Sequence, residues 1–179
     1  MSHRLSILAL STLVVTFAGA DEPAKTQTVN VGSLSFEAPT SWKSMTPKSA
    51  MRKAQLALAP VAGDTQSGDL SIYVFPEGAG SAQANVARWQ AQFKDAQGST
   101  PAVESKTLKG KNVDVTRVAC AGTFTDPFGS AGPQKGYRLL GAIVQIPEGG
   151  YYLKLLGPEK TITASEKDFD AMIATLSRK

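Results

Sequence analysis

Residues 137–158, YRLLGAIVQIPEGGYYLKLLGP, decide the fold. Two strongly apolar runs meet through Glu148-Gly149-Gly150, and both spacing and composition predict a β-hairpin. In a strand, successive side chains point to opposite faces. Runs this apolar therefore have two faces to bury rather than one, as strands inside a covered sheet do. DLSIYVFP (69–76) has the same character: Leu70, Ile72 and Val74 alternate with Ser71, Tyr73 and Phe75, and both sets are largely apolar. It too belongs inside the sheet, with further structure packed on either side.

Outward from this centre, TVNV (28–31) and LSFEAP (34–39) flank Gly32-Ser33 as a tight hairpin, with Val29, Val31, Leu34 and Phe36 as its apolar members. Pro39 stops pairing, and MRKAQLALA (51–59) gives another half-buried strand before a polar loop from Pro60 to Gly68. From Ser81 the period becomes helical, placing Val86, Trp89, Gln90 and Phe93 on one stripe until Gly98 to Pro101 ends the helix. Val103 to Leu108 and NVDVTRVACAGTF (112–124) form a hairpin across Lys109-Gly110-Lys111. Val113 and Val115 share one parity while Val118, Cys120 and Phe124 take the other, which predicts a β-bulge at Thr116-Arg117. Asp126 to Gly136 reads as a long irregular loop, and Ser165-x-x-Asp168 as a capping box opening a helix with Phe169, Met172, Ile173 and Leu176 on one face. Hairpin-linked strands with only two main helices predict an α+β fold. The expected form is an α/β/α sandwich around a mainly antiparallel sheet of about six to eight strands.

The first twenty residues, MSHRLSILALSTLVVTFAGA, combine Arg4, an apolar run and Ala18-Gly19-Ala20, the pattern of a secretory signal peptide with its cleavage site. Cleavage there leaves 159 residues, 21–179, enough for one domain with its own core. The expectation is an exported protein, periplasmic or secreted, with no membrane span after processing and no cysteine positioned for a lipid anchor. The single cysteine, Cys120, allows no internal disulfide, and its apolar setting predicts a buried, inert thiol. Net charge of +4 without any run of five basic residues gives no support to nucleic-acid binding.

Histidine narrows the chemistry furthest. The only one, His3, lies in the leader, so the processed chain is expected to lack Ser–His and Cys–His pairs and histidine metal sites. Carboxylate acid/base work, a lysine nucleophile or an all-oxygen cation site remain open. Their signatures are missing: Ser44 and Lys48 are one residue too far apart for S-x-x-K, Phe128 replaces the first glycine of a nucleophile elbow at Ser130, and no calcium loop occurs. No catalytic residue, metal or cofactor is therefore assigned. Lys154, within an apolar strand, is read as reaching solvent along its stem.

The candidate contacts lie elsewhere. GAGSAQANVARWQAQF (78–93) joins a strand to a helix and imitates part of a dinucleotide fingerprint, but Gln83 stands at the third glycine and no parallel unit follows. Trp89 and Phe93 are read as packing. Asn85 and Arg88 together are a candidate anion contact near the helix start, with Asp95, Asp69 or the Trp89 face as structural alternatives for Arg88. Phe128, stranded among glycines and prolines in the loop 126–136, either contacts a partner or folds back on the sheet. Tyr73, Phe75, Tyr137, Tyr151 and Tyr152 are alternative linings for a pocket holding a small apolar or anionic ligand. Those alternatives give an exported non-catalytic binding or scaffold module, a small-ligand carrier, or a carboxylate-dependent enzyme.

The succession FEAPTSW, MRKAQLAL, NVARWQAQF, CAGTF, GAIVQIPEGGYYLKLLGP and FDAMIATL resembles the PsbP-like superfamily, and its small exported bacterial members above all. The resemblance spans nearly all of residues 21–179 and rests on packing motifs. It implies an α/β/α sandwich acting as a non-enzymatic binding or scaffold module for a protein or envelope component, and it transfers no catalytic site. The plain secretory leader gives no reason to expect a photosynthetic role.

Overall fold

The computed structural model describes residues 25–127, 129 and 131–179. The leader, Phe128 and Ser130 lie outside the described residues. An opening hairpin pairs β1 (Thr26–Val31) with β2 (Leu34–Pro39) around Gly32, whose positive φ of 55° suits a tight turn. Next come β3 (Lys43–Ser44), β4 (Arg52–Leu58), β5 (Gly68–Phe75) and helix α1 (Ala82–Gln90). β6 (Phe93–Lys94), β7 (Glu104–Lys109), β8 (Asp114–Phe124), β9 (Gln134–Ile146) and β10 (Gly149–Pro158) follow. The chain closes with α2 (Glu159–Ala164), α3 (Glu166–Thr175) and β11 (Ser177–Arg178). The large sheet is antiparallel and eight-stranded, in the order β3-β4-β5-β10-β9-β8-β6 with β7 also paired to β8; β1-β2-β11 form a second sheet of three strands.

The two-faced strands set the layers. On one face Leu153, Leu155, Leu140, Val144, Leu70 and Ile72 meet Leu34 and Phe36 of the small sheet and Phe169, Met172 and Ile173 of α3. On the other, Tyr152, Ile143, Leu139, Val118, Cys120 and Phe124 pack with Trp89 of α1 and Phe93. The protein is thus α+β, with helices on both faces of its main sheet.

Four local expectations are corrected. The register of β8 runs unbroken through Thr116↔Ile143 and Arg117↔Ala142, and the irregularity falls later, between Gly122 and Phe124. The two valine parities arise because β8 buries both faces, not because the strand is kinked. α1 stops at Gln90, and Phe93 leaves the helical stripe to pair with Phe124, their rings 5.3 Å apart. Ser165 makes no capping box; its hydroxyl donates to Thr161 O at 2.9 Å. That bond ends an unpredicted short helix, α2, whose Thr161 amide is taken by Asp64 Oδ2 at 2.9 Å from a loop far away in sequence. Among the described residues α2 is thus a short third helix beside the two main ones expected.

Arg117 was invisible as a structural residue. It sits on the α3 face of β8, 2% exposed, where it is bonded to Glu166 and, at 3.0 Å, to Asp170; Arg138 adds a second ion pair to Glu166 at 2.8 Å. Burial alone would raise the Glu166 carboxyl, but the Arg117 hydrogen bond and the Arg138 charge together hold it below the usual carboxylate range. Its contribution to stability is therefore complete above the unfolded carboxylate pKa and lost as pH falls through the lower folded value. Neutralising both acids by Glu166→Gln with Asp170→Asn strands a buried cation, and should lower the unfolding free energy by about 3 kcal/mol. Arg117→Met should cost less, because the acids it frees are about a third exposed and rehydrate. Urea denaturation of the two variants checks this ranking, and the reverse order would show that desolvation of Arg117 does not govern it.

Gly141 supplies a second check. A Cβ there would lie 2.2 Å from the Trp89 ring, so α1 reaches the sheet only because this position has no side chain. Gly141→Ala should displace Trp89, lower the melting midpoint by roughly 5 °C or more and shift tryptophan emission to the red.

Candidate functional site

The α1 face of the large sheet carries Asn85 and Arg88 and a polar cluster that sequence reading missed, while the third candidate, Phe128, lies outside the described residues. At the top, the chain leaves β5 through Gly78 and Gly80, both at positive φ, and turns into α1. Ser81 caps the helix, accepting from Ala84 N at 3.2 Å. Tyr152 OH accepts from Ala79 N at 3.1 Å, and Gln145 donates to Gly80 O at 3.0 Å, so β9 and β10 pin the turn from below.

Asn85 is buried, and Arg88 beside it is exposed. The structure brings them together and turns them onto one another. Asn85 Nδ2 donates to Ala79 O at 3.0 Å and Ser81 O at 2.9 Å, while its Oδ1 accepts from Arg88 Nη1 at 2.8 Å. Asp69 and Asp95, considered as partners of Arg88, are engaged elsewhere: Asp69 by Arg52, Gln55 and Ser71, Asp95 by the amides of Gln97 and Ser99.

Beyond α1, the same face continues over β4, β5 and β10 as a polar shelf. Ser71 Oγ donates to Asp69 Oδ1 at 2.5 Å, and Gln55 Nε2 donates to Asp69 Oδ2. Arg52 Nε reaches Tyr73 OH at 3.2 Å, and its Nη1, 3.7 Å from Asp69, is a buried nitrogen without a hydrogen-bond partner. The signal was present in the parity of β5, where Asp69, Ser71 and Tyr73 share one face.

Lys154 stands in the middle of this face. Contrary to the expectation that it reaches solvent, it is half-buried: Nζ donates to Gln92 Oε1 at 2.5 Å and lies 4.9 Å from the centre of the Phe124 ring. Burial pulls its pKa down to about 8, helped by the Arg52 charge and opposed by Asp126. The nearby Cys120 thiol is buried and pushed up to about 11, so it remains protonated and inert at neutral pH.

Of the aromatic residues weighed as a pocket lining, Tyr73, Phe75, Tyr137 and Tyr152 gather on the α1 face, packed against one hydrophobic cluster. Tyr151 points to the opposite face, where its hydroxyl accepts from Ser33 N at 2.9 Å. Tyr137 stacks on Phe124, and Tyr152 packs edge-on against Phe75. A cleft of about 280 Å³ opens instead between α1 and β7, lined by Val86, Gln90, Lys106 and Thr107. Among the described residues no group of three or more His, Cys, Asp and Glu side chains could hold a metal ion, and no helix is long and apolar enough to cross a membrane.

This two-faced sheet with its helices and hairpin is the PsbP-like fold. The chain is similar to the solution structure of cyanobacterial PsbP (CyanoP) from Synechocystis sp. PCC 6803, with a TM-score of 0.57 and 13% identity over 92% of this chain and 98% of that one. It is also similar to LpqN, a protein involved in cell envelope biogenesis of Mycobacterium tuberculosis, with a TM-score of 0.51 and 9% identity over 88% and 92% of the two chains. No family model and no curated protein sequence matches the chain.

The depressed Lys154 pKa has a definite sign. Between about 8 and the ordinary lysine value the unfolded chain binds a proton that the folded chain does not, so this residue costs stability at neutral pH and the cost fades as pH rises through that window. Lys154→Met should therefore be more stable than the parent at pH 7, and the gap should close by about pH 10.5. Thermal melts of the pair across pH check this; a gap independent of pH would place the charged amine in water.

Proposed function

We propose that the chain is an exported, non-catalytic binding module that engages an envelope component through its loops. The observation that carries this reading is the fate of its buried polar groups. Arg117 is turned on Glu166 and Asp170, Asn85 on Arg88 and its own turn, Lys154 on Gln92 and Phe124, and the Cys120 thiol is held protonated. Nucleophilic catalysis needs a nucleophile within hydrogen-bond reach of a base that activates it. None of these partnerships joins the two, and the buried hydroxyls that do meet a carboxylate are tied into structural networks, Ser71 on an Asp69 shared with Gln55 and Arg52, and Thr161 on an Asp64 that also takes its own amide. The rigid sheet instead frames exposed connections, and binding residues concentrate on loops held by such scaffolds. The leader, the PsbP-like fold and the likeness to an envelope-biogenesis protein support export and an envelope setting.

Within this reading, Arg88 at the exposed side of α1 and Phe128 in the connection 125–133, shorter than the 126–136 loop expected because β9 already starts at Gln134, are the proposed contacts, with Asn85 positioning the guanidinium through its 2.8 Å bond. Affinity capture from an envelope extract, using the processed chain as bait, tests it. Replacing residues 127–133 by a glycine-serine linker, which spares β9, should remove specific partners while the melting midpoint holds within a few degrees. Arg88→Ala should weaken the same capture at a stability cost of about 1 kcal/mol. An unchanged partner set in both variants contradicts the assignment of these contacts, and steady turnover of a substrate by the processed chain contradicts the non-catalytic reading.

A further inference from the structure

Between Glu37 and Asp64 the sequence has no acidic residue, and Lys43, Lys48, Arg52 and Lys53 fall within that interval. The structure gathers it at the β3-β4 edge of the large sheet, where residues 43–51 are exposed throughout. Among the described residues Met45 and Met51 are the exposed large hydrophobic side chains, at 48% and 61%, and both lie in this one connection. The loop is also held in shape. Met45 N donates to Gln55 O at 2.9 Å, Lys48 N to Gln55 Oε1 at 3.0 Å, and Arg52 N to Ser49 O at 3.1 Å, while Gln55 itself is buried and bonded to Asp69. Trp42, buried in the core, anchors its start.

We infer that this loop docks the protein on an anionic lipid surface, with Met45 and Met51 entering the headgroup boundary and Lys43, Lys48 and Lys53 pairing with lipid phosphates. The inference deepens the envelope reading above, on which it rests, by naming lipid headgroups as the component bound. Two unbranched, flexible apolar chains ringed by cations, with no carboxylate in the segment, match the composition of an interfacial contact, in which apolar burial and attraction to anionic lipid add. Prealignment by Gln55 means that little ordering of the loop opposes binding. Arg52 takes the inner position: its guanidinium stays with Asp69 and Tyr73, while the three lysines carry the charge outward.

The test is co-sedimentation of the processed chain with vesicles of equal parts phosphatidylglycerol and phosphatidylcholine, against vesicles of phosphatidylcholine alone. Binding is expected only to the anionic vesicles and should fall as salt is raised. Lys43→Glu with Lys48→Glu should weaken it by more than the roughly fivefold expected for each lost cation. Met45→Ser with Met51→Ser should weaken it by about tenfold without lowering the melting midpoint. Lys106→Glu with Lys167→Glu makes the same change in net charge at exposed sites elsewhere, and should have little effect. Absence of binding to anionic vesicles at low salt overturns the inference, as does equal weakening by the two charge-reversal pairs. If vesicles are ignored while envelope capture still returns a protein dependent on residues 127–133, the lipid inference falls and the binding-module reading stands. If both experiments are empty, both fall.

Discussion

Everything in this fold follows from a sheet that cannot leave either face in water. β10 sends Leu153 and Leu155 to one side and Tyr152 to the other, and β9 does the same with Leu140 and Val144 against Leu139 and Ile143. Each large apolar side chain left exposed would forfeit about 1.5–3 kcal/mol. The chain therefore brings cover to both sides: the β1-β2 hairpin with α2 and α3 on one, and α1 with the Phe93-Phe124 pair on the other. The covers are fitted individually. Gly141 admits Trp89, and Gly32 brings the hairpin against Tyr151, whose hydroxyl takes the Ser33 amide.

Polar groups inside these layers meet two fates. Arg117 is buried with two carboxylates and keeps its charge, because hydrogen bonds and opposite charges outweigh desolvation. Lys154 is half-buried against an amide oxygen and an aromatic ring, and desolvation outweighs the opposing Asp126 charge, bringing its pKa to about 8. A cation facing two acids is a structural clamp between β8 and α3, whereas an amine facing Gln92 and Phe124 is a group whose charge responds to pH near neutrality.

Much of the architecture was legible because it depends on local alternation. Val29, Val31, Leu34 and Phe36 announced the first hairpin around Gly32, and Phe169, Met172 and Ile173 announced α3 by their spacing. Misreadings came where a local rule met a distant partner. Parity at Val115 and Val118 suggested a bulge only if one face of β8 were solvated, and both are covered. The four-residue step from Trp89 to Phe93 fits a helix, but Phe124 draws Phe93 into a strand pair. Arg117 finds its acids 49 and 53 residues later, and Thr161 finds its Asp64 cap 97 residues earlier, separations that no window on the sequence spans. Asn85 and Arg88 were legible as neighbours on α1, but their mutual bond was not. The acid-free interval around Met45 and Met51 was readable from the start, yet it meant little until exposure showed both methionines on one surface loop.

Native-state hydrogen exchange tests the central claim, that a sheet buried on both faces organises the molecule. The amides of β9 from Leu139 to Val144 and of β10 from Tyr152 to Leu155 should exchange last, through global unfolding alone, because both neighbouring strands and both covering layers must open first. α1 should open earlier, since only one layer holds it. If the central amides of β10 exchange as fast as those of α1, the two-faced sheet is not the element on which the rest depends.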